Sequence, residues 1–242
     1  MRTRLVLITA LLTAVLAACG GGSSKSSSTT TSPTTATSTP SSTAAGSDPA
    51  ATARAQKLVL TQADFPAGWT GTPAAADTPE AKAAGQQFAT CAGLSGESAQ
   101  SADVKGDDFN MGSPATMVSS ETRIIKDDST YKKDVESLKS GKFQPCLQDF
   151  LTKSLASATG GATPTNVQVS PLTTDKFGDV TVGIRMSAGI TVGGQTATLV
   201  VDAVVLGKNK AEVQTAFINL AQPFDPALEK SLIGKLGAKL DA

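Results

Sequence analysis

Residues 179–206, DVTVGIRMSAGITVGGQTATLVVDAVVL, decide the fold that the sequence predicts. Apolar side chains alternate from Val180 to Ile190, which is the period of a strand with one buried face. The glycine pair at 193–194 is a hairpin signal. The strand that follows, 195–206, is apolar almost throughout, so we expect it at the centre of a sheet and buried on both faces.

The next segments continue this pattern to the C-terminus. Residues 207–210, GKNK, predict a turn. Residues 211–220 alternate again, with Val213 and Phe217 on one face of the strand and Ile218 on the other. Asp225 and Pro226 are typical of a helix start. The helix carries one apolar stripe, formed by Leu228, Leu232, Leu236 and Leu240.

The first part of the domain predicts mainly helices. The first expected helix covers 54–64 and ends at Phe65-Pro66. The second begins at Pro79 and has Ala81, Ala84, Phe88 and Cys91 on its buried face. The third follows 127–129 and ends at Gly141, and the fourth runs from Pro145 to 160. The expected strands are 116–126 and 166–172, and 95–114 predicts a long loop. The fold class is therefore α+β, a twisted and mainly antiparallel sheet of about five strands, ending in a β-meander and flanked by helices.

The N-terminus predicts an export signal. Arg2 and Arg4 precede an apolar run of fourteen residues, 5–18, which is too short to span a bilayer. Leu16-Ala-Ala-Cys19 resembles the lipobox of bacterial lipoproteins. The resemblance implies cleavage before Cys19, a thioether-linked diacylglycerol on its sulfur and a fatty acid such as palmitate on the new amine. The alternative is an ordinary secretory signal with a chance cysteine.

A segment of low complexity follows this signal. Serine and threonine make up 18 of the 28 residues from 23 to 50, which predicts a disordered tether. The sequence therefore predicts a signal peptide at 1–18, a lipidated cysteine with its tether at 19–52, and one globular domain at 53–242. The expected location is the outer face of the cytoplasmic membrane, where acyl chains hold the protein in the cell envelope.

Two cysteines remain for the domain, Cys91 and Cys146. An exported chain reaches an oxidising compartment, and two cysteines allow a single pairing, so we expect a disulfide between them. Two separate buried thiols and a two-cysteine metal site are the alternatives.

Composition excludes several classes of function. The chain contains no histidine, which removes serine–histidine and cysteine–histidine nucleophiles and imidazole metal sites. Its 21 basic and 21 acidic residues balance, which does not favour a nucleic-acid partner. We expect no enzyme activity, no catalytic residue, no metal and no cofactor.

Four local patterns each have a functional and a structural interpretation. Ser129 and Lys132 match the Ser-x-x-Lys of penicillin-recognising enzymes but lack the companion motifs, so a helix cap and a solvated lysine are expected. Asp107, Asp108 and Asn110 offer calcium ligands without the glutamate of an EF-hand, so a solvated loop is expected.

The other two patterns concern Trp69 and the C-terminal helix. Trp69, the only tryptophan, is a candidate ligand-binding residue that stacks a ring; the alternative is a hydrophobic plug. Lys230, Lys235 and Lys239 beside the leucine stripe suit either an anionic membrane surface or a helix that packs on a sheet.

The stretches LVLTQADFPAGW (58–69) and KFQPCL (142–147), with the lipobox, tether and meander, resemble actinobacterial envelope lipoproteins. These are the LpqN-type lipoproteins, related to the extracellular sensor domain of PknH-type receptor kinases. The resemblance implies a PsbP-like α/β/α sandwich and a non-catalytic module that binds an envelope ligand or a protein partner. The kinase sensor domains carry two disulfides, whereas this domain can form one, and we expect no kinase domain.

The leading hypothesis is thus a membrane-anchored, non-catalytic binding or sensor-like lipoprotein, whose partner is an unidentified envelope ligand or protein. The first alternative is a structural or chaperone-like accessory of envelope assembly. The second is a hydrolase that uses only carboxylates, which needs two acidic groups facing each other across a groove.

Overall fold

The computed structural model describes residues 41–42, 48–112, 116–158, 164–192 and 195–242. Several predictions fall outside these ranges. They are the signal peptide, Cys19, most of the tether, the glycine pair at 160–161 and the glycine pair at 193–194.

Five helices and nine strands form the described part of the chain. The helices are α1 (Pro49–Leu58), α2 (Pro79–Ala92), α3 (Asp128–Lys139), α4 (Phe143–Ala158) and α5 (Pro226–Asp241). The strands are β1 (Ser41–Ser42), β2 (Thr70–Thr72), β3 (Gln100–Lys105), β4 (Asp108–Met111), β5 (Thr116–Ile125), β6 (Thr165–Pro171), β7 (Val180–Val192), β8 (Gln195–Lys208) and β9 (Ala211–Leu220). None of these helices has the length and apolar content that crossing a bilayer requires.

All nine strands belong to one antiparallel sheet. Its order is β1-β3-β5-β9-β8-β7-β6. The strand β4 pairs with β2 on one side and, on the other, with residues 116–118 of β5, ahead of the part of β5 that pairs with β3. The predicted meander is present as β7-β8-β9, and β8, the strand expected at the centre, pairs with a strand on each side. The two residues between β8 and β9, Asn209 and Lys210, have φ of 51° and 68°, the backbone of a two-residue hairpin with a type I′ turn.

Helices cover both faces of the sheet, so the fold is a three-layer α+β sandwich, which confirms the predicted class. On one face, α2, α3 and α4 enclose a core that includes Phe150, Ile184 and Ile218. On the other face, α1 and α5 enclose a second core that includes Phe217 and Leu236. The apolar side chains of β8 enter both cores, as predicted for a central strand.

Polar caps explain where the helices begin. The side chains of Asp48, Thr78, Asp127 and Asp225 each accept a hydrogen bond from a backbone N–H in the first turn of the helix that follows. Proline occupies the first turn of α1, α2 and α5, where its missing N–H removes no helical hydrogen bond. The helix start predicted at 127–129 is confirmed, and its cap is Asp127.

Four local predictions are wrong. The segment 95–114 contains β3 and β4 and is not a long loop, so the sheet has more strands than the five expected. The helix predicted over 54–64 covers Pro49–Leu58, and a separate 3-10 turn follows at Gln62–Asp64. The helix expected from Pro145 begins at Phe143. Cys91 lies on the exposed side of α2, and its neighbour Ala92 is buried.

Gly237 of α5 is required for packing, whereas Gly234 on the same helix is not. A Cβ at Gly237 would overlap the Phe177 ring, and a Cβ at Gly234 would meet nothing within 4 Å. Gly237→Ala is therefore expected to lower the free energy of unfolding by about 1–3 kcal/mol through overpacking. Gly234→Ala is the matched control and is expected to raise it by up to about 1 kcal/mol through helix propensity. Urea unfolding measures both, and equal effects would contradict this account.

Candidate functional site

The strands β3, β5 and β9 carry charged side chains on the face of the sheet where α2, α3 and α4 lie. Met117 of β5 lies in the core on the side of α4. Alternate residues of a strand point to the same face of the sheet, so Glu121 and Arg123 point to the same face as Met117. Asp103 and Lys105 on β3 and Glu212 on β9 pair with this part of β5. We call these five residues, together with Asp77 and Asp108, the polar cluster.

Cross-strand pairing orders the polar cluster into two rows. Asp103 lies opposite Arg123, which lies opposite Glu212, and Lys105 lies opposite Glu121. The Arg123 Nε–H donates to Glu121 Oε1 at 3.2 Å. The Lys105 ammonium donates to Asp77 Oδ1 at 2.5 Å. Because Asp77 lies just before α2, this ion pair ties the start of that helix to the sheet.

The polar cluster holds more acid than base. Its five carboxyl groups face two cations, so full ionisation would leave three negative charges uncompensated. Asp103 is 2% exposed, and neither of its carboxyl oxygens has a hydrogen-bond partner. Glu212 Oε1 is also buried without a partner. Unpaired buried charge is costly, so such groups bind protons or a counter-ion.

Burial shifts the pKa of four acids of the polar cluster upward, toward their neutral forms. It raises the pKa of Asp103 well above its usual range, the charge of Glu121 raises it further, and Arg123 and Lys105 oppose the shift. Burial also raises the pKa of Glu121, against Arg123 and Lys105. It raises the pKa of Glu212 to about 7 and that of Asp108 to about 6. In the described residues no three histidine, cysteine or acidic side chains are arranged to hold a metal ion.

The fully buried residues of helix α2 are small. The positions that it buries are Ala81, Gly85, Ala89 and Ala92. Between this helix and the sheet lies a shallow depression, with Arg123 in its lining. The other lining residues are Gly85, Gln86, Ala89, Ser95, Gly96, Glu97 and Gln100.

A second polar region lies on the opposite face of the sheet. Arg185 of β7 donates two hydrogen bonds to the buried Asp202 carboxylate of β8, at 2.7 and 2.6 Å. Burial raises the pKa of Glu229 on the adjacent α5 to about 7, and the charge of Asp202 adds to this shift. Further along β7 and β8, on the same face of the sheet, hydroxyl side chains are exposed; they are Thr191, Thr196 and Thr198. We call Arg185 and these three threonines the open polar face.

The structure joins two of the predicted site residues and buries a third. Cys91 and Cys146 form a disulfide with their Cα atoms 5.8 Å apart, so the predicted pairing is confirmed and it links α2 to α4. Trp69 is 5% exposed and packs between Phe65 and Phe224, at ring-centroid distances of 5.1 and 5.9 Å. This packing favours the plug over the ligand contact.

The remaining candidates have structural contacts. The Ser129 hydroxyl donates to the capping carboxylate of Asp127 at 2.7 Å, and Lys132 is exposed. Asp108 and Asn110 lie on β4, and Asp108 is buried, so the expected solvated loop is wrong.

The lysines of α5 support the packing interpretation of that helix. Lys235 donates to the Asp64 carbonyl. Lys239 donates to the Val59 carbonyl and to the Asp64 carboxylate, and both of these bonds are 2.7 Å long. Lys230 is exposed and lies 3.4 Å from Asp175.

Sequence reasoning missed the polar cluster because charged residues seldom mark a buried face. One signal was available. In 116–125, TMVSSETRII, the two charges stand at alternate positions of a strand that is otherwise rich in β-branched residues. Such a spacing places both charges on one face of the strand.

The raised pKa of Glu212 predicts how stability depends on pH. The folded state holds this proton more tightly than the unfolded state, so stability falls as pH rises from the unfolded value through about 7. We expect the free energy of unfolding to be larger near pH 5 than near pH 8 by roughly 3 kcal/mol from this group. Glu212→Gln should flatten this part of the urea-unfolding profile. Asp149→Asn, at an exposed ion pair with Lys153, should keep the wild-type slope; a flat wild-type profile would refute the assignment.

The comparisons with known proteins give one distant likeness. No protein-family model matches the chain. No curated protein matches it either. Among solved structures, it is similar to LpqN of Mycobacterium tuberculosis, described as involved in cell envelope biogenesis. The identity is 12%, the match covers 73% of this chain and 77% of LpqN, and the TM-score is 0.31. At this TM-score, no statement about the function of this chain rests on the likeness.

Proposed function

We propose that this chain is a lipid-anchored extracytoplasmic protein whose domain is a non-catalytic binding module, and that it meets its partner on an outer polar surface. The observation that carries the proposal is the filling of both cores by the domain's own helices. Among the described residues, Met111 is the one large hydrophobic side chain that is exposed, at 42%. A hydrophobic ligand would need an apolar cavity or patch, so the proposal does not include one.

The surface that we assign to the partner is the open polar face. Exposed threonine hydroxyls both donate and accept hydrogen bonds, and Arg185 adds a cation that Asp202 holds in place. Binding positions on rigid strands are held more precisely than positions on loops. These features support a polar partner that lies across β7 and β8.

The proposal assigns no catalytic role. In its support, Ser129 belongs to a helix cap and lies beside an exposed lysine on the same helix. The acids of the polar cluster are buried on one face of the sheet, whereas a carboxylate hydrolase needs them on opposite sides of an open groove.

Photocrosslinking in cells tests the surface. A photoreactive amino acid at Thr198 of the full chain should give one adduct of defined mass, and the same group at Glu136, an exposed residue of α3, should give none. Adducts of equal yield at both positions would contradict the open polar face. Native mass spectrometry of the Cys19→Ala chain, purified from an envelope extract, should show the polypeptide mass alone. A retained lipid would overturn binding by an outer surface.

Membrane attachment is tested at the lipobox cysteine. Cys19→Ala removes the sulfur that would carry the diacylglycerol, so we expect the protein to move from the membrane fraction to the soluble fraction. Cys91→Ala is the matched control, because it removes a cysteine of the domain and should leave the protein with the membrane. A Cys19→Ala protein that still sediments with membranes would refute the anchor.

A further inference from the structure

The disulfide that links α2 to α4 joins an exposed residue to a buried one. Cys91 is exposed and lies in the last turn of α2. Cys146 is 7% exposed and belongs to the core on the side of α4, whereas Cys91 does not belong to it. A thiolate that attacks a disulfide needs access to one of its two sulfurs. The folded domain offers that access at Cys91.

The two helices are also held together by contacts other than the disulfide. The Phe88 ring of α2 packs on Phe143 and Phe150 of α4, at ring-centroid distances of 5.5 and 5.4 Å. Ala92, the last residue of α2, is buried in the same core. These apolar contacts keep α2 beside α4 when the covalent bond is open, so exchange does not require the domain to unfold. The Cα atoms of the two cysteines, 5.8 Å apart, then stay within the distance that a disulfide spans.

We propose that Cys91 is a thiol–disulfide exchange site of the folded domain and that Cys146 is its resolving cysteine. The partner is a thiolate, carried by a small thiol or by a dithiol protein. Its sulfur attacks Cys91 Sγ, the bond between the two cysteines breaks, and Cys146 leaves as a thiolate that solvent protonates. One S–S bond forms as another breaks, so this step needs no further oxidant or reductant.

The mixed disulfide on Cys91 has two outcomes. In the first, the Cys146 thiolate attacks Cys91 Sγ, restores the internal disulfide and expels the thiolate of the partner. In the second, the second thiolate of a dithiol partner attacks the partner's own sulfur in the mixed disulfide, which oxidises the partner and leaves Cys91 and Cys146 as thiols. The inference goes beyond the proposed function, because it concerns the helices α2 and α4 and not the open polar face, and it holds whether or not Cys19 carries lipid.

The product of the first attack identifies the sulfur that reacts. The full chain with Cys19→Ala, which has no third thiol, is treated briefly under native conditions with 2-mercaptoethanesulfonate. Acid stops the exchange, N-ethylmaleimide then labels the released thiol in denaturant, and peptide mass spectrometry locates both groups. We expect the mixed disulfide on Cys91 and the maleimide on Cys146, in at least about tenfold excess over the reverse product. Equal amounts of the two products, or an excess of the reverse one, would overturn the proposal.

The same chain in urea is the control for the role of the fold. Unfolding makes both cysteines accessible, so the two products should form in nearly equal amounts. A preference of the native size that persists in urea would refute the assignment, because the local sequence and not the burial of Cys146 would then select the reacting sulfur.

Two single variants test each thiol by itself, both in the Cys19→Ala background. Cys146→Ser leaves the Cys91 thiol, and Cys91→Ser leaves the Cys146 thiol. Under native conditions an aromatic disulfide reagent should react with the Cys146→Ser chain at least about tenfold faster than with the Cys91→Ser chain, and in urea the rates should agree. Equal native rates would contradict the exchange site. The product analysis needs neither variant, so it decides the question if one of them does not fold.

A protein partner is distinguished from a small thiol by trapping. A dithiol oxidoreductase whose resolving cysteine is replaced by alanine is incubated with the Cys19→Ala chain, and the adduct is located by peptide mass spectrometry. An adduct on Cys91 supports exchange with a dithiol protein. Reaction of Cys91 with the small thiol alone supports the site and limits its partners to small thiols. Absence of reaction at Cys91 with both reagents would refute the site.

Discussion

Replacing Cys91 and Cys146 together by alanine is expected to lower the free energy of unfolding by about 4 kcal/mol. The two cysteines are 55 positions apart, and a cross-link of that span removes much of the conformational freedom of the unfolded chain. The bond also joins α2 to α4 on one face of the sheet, so the variant should lose order in α2 first. Urea unfolding in a Cys19→Ala background measures the effect without a third thiol.

The control for this experiment is the parent chain in reductant. It should unfold at the same urea concentration as the double alanine variant, because both lack the covalent link. The variant itself should be insensitive to reductant. A parent chain whose midpoint does not move on reduction would show that the bond contributes nothing to stability.

Trp69→Ala is expected to lower the free energy of unfolding by about 3–5 kcal/mol, the range for removing a buried aromatic side chain. The indole contacts Phe65 and Phe224, and Phe65 stacks on Phe109 at 4.1 Å between ring centroids. Removing it therefore opens a cavity beneath α5 and loosens the turn that precedes β2. Thermal or urea unfolding measures the loss.

Trp69→Phe separates packing from ligand contact. The Trp69 Nε1–H is buried without a hydrogen-bond partner, so phenylalanine removes an unpaired donor while it keeps most of the ring contacts. We expect the phenylalanine variant to lose less than half of what the alanine variant loses. The plug would be contradicted if Trp69→Ala left the stability unchanged but abolished the adduct formed by the photoreactive amino acid at position 198. That result would restore Trp69 as a binding residue.

The second half of the chain was predictable because each of its signals is local. Alternation along β7 and β9, the apolar run of β8 and the cap at Asp225 each lie within a few residues. These segments are also the centre of the sheet, where burial follows the apolar pattern. Sequence reasoning therefore placed Val213 and Phe217 in one core and Ile218 in the other.

The strands β3 and β4 were missed for the opposite reason. Asp103, Lys105 and Asp108 occupy inward positions, and their charges interrupt the apolar alternation by which a strand is recognised. The position of these side chains depends on the pairing of β3 and β4 with β5, and of β5 with β9, which lies about a hundred residues further along the chain.

The sequence by itself determined the fold class, the order of the meander, the pairing of Cys91 with Cys146 and the absence of imidazole chemistry. Only the tertiary structure decided which charges are buried, that Trp69 is enclosed by phenylalanines and that Lys235 and Lys239 bind the chain between Val59 and Asp64. The physical reason is the range of each interaction. Apolar periodicity and cysteine number are properties of the chain itself, whereas the pKa of a carboxyl and the exposure of a tryptophan depend on which distant element packs over them.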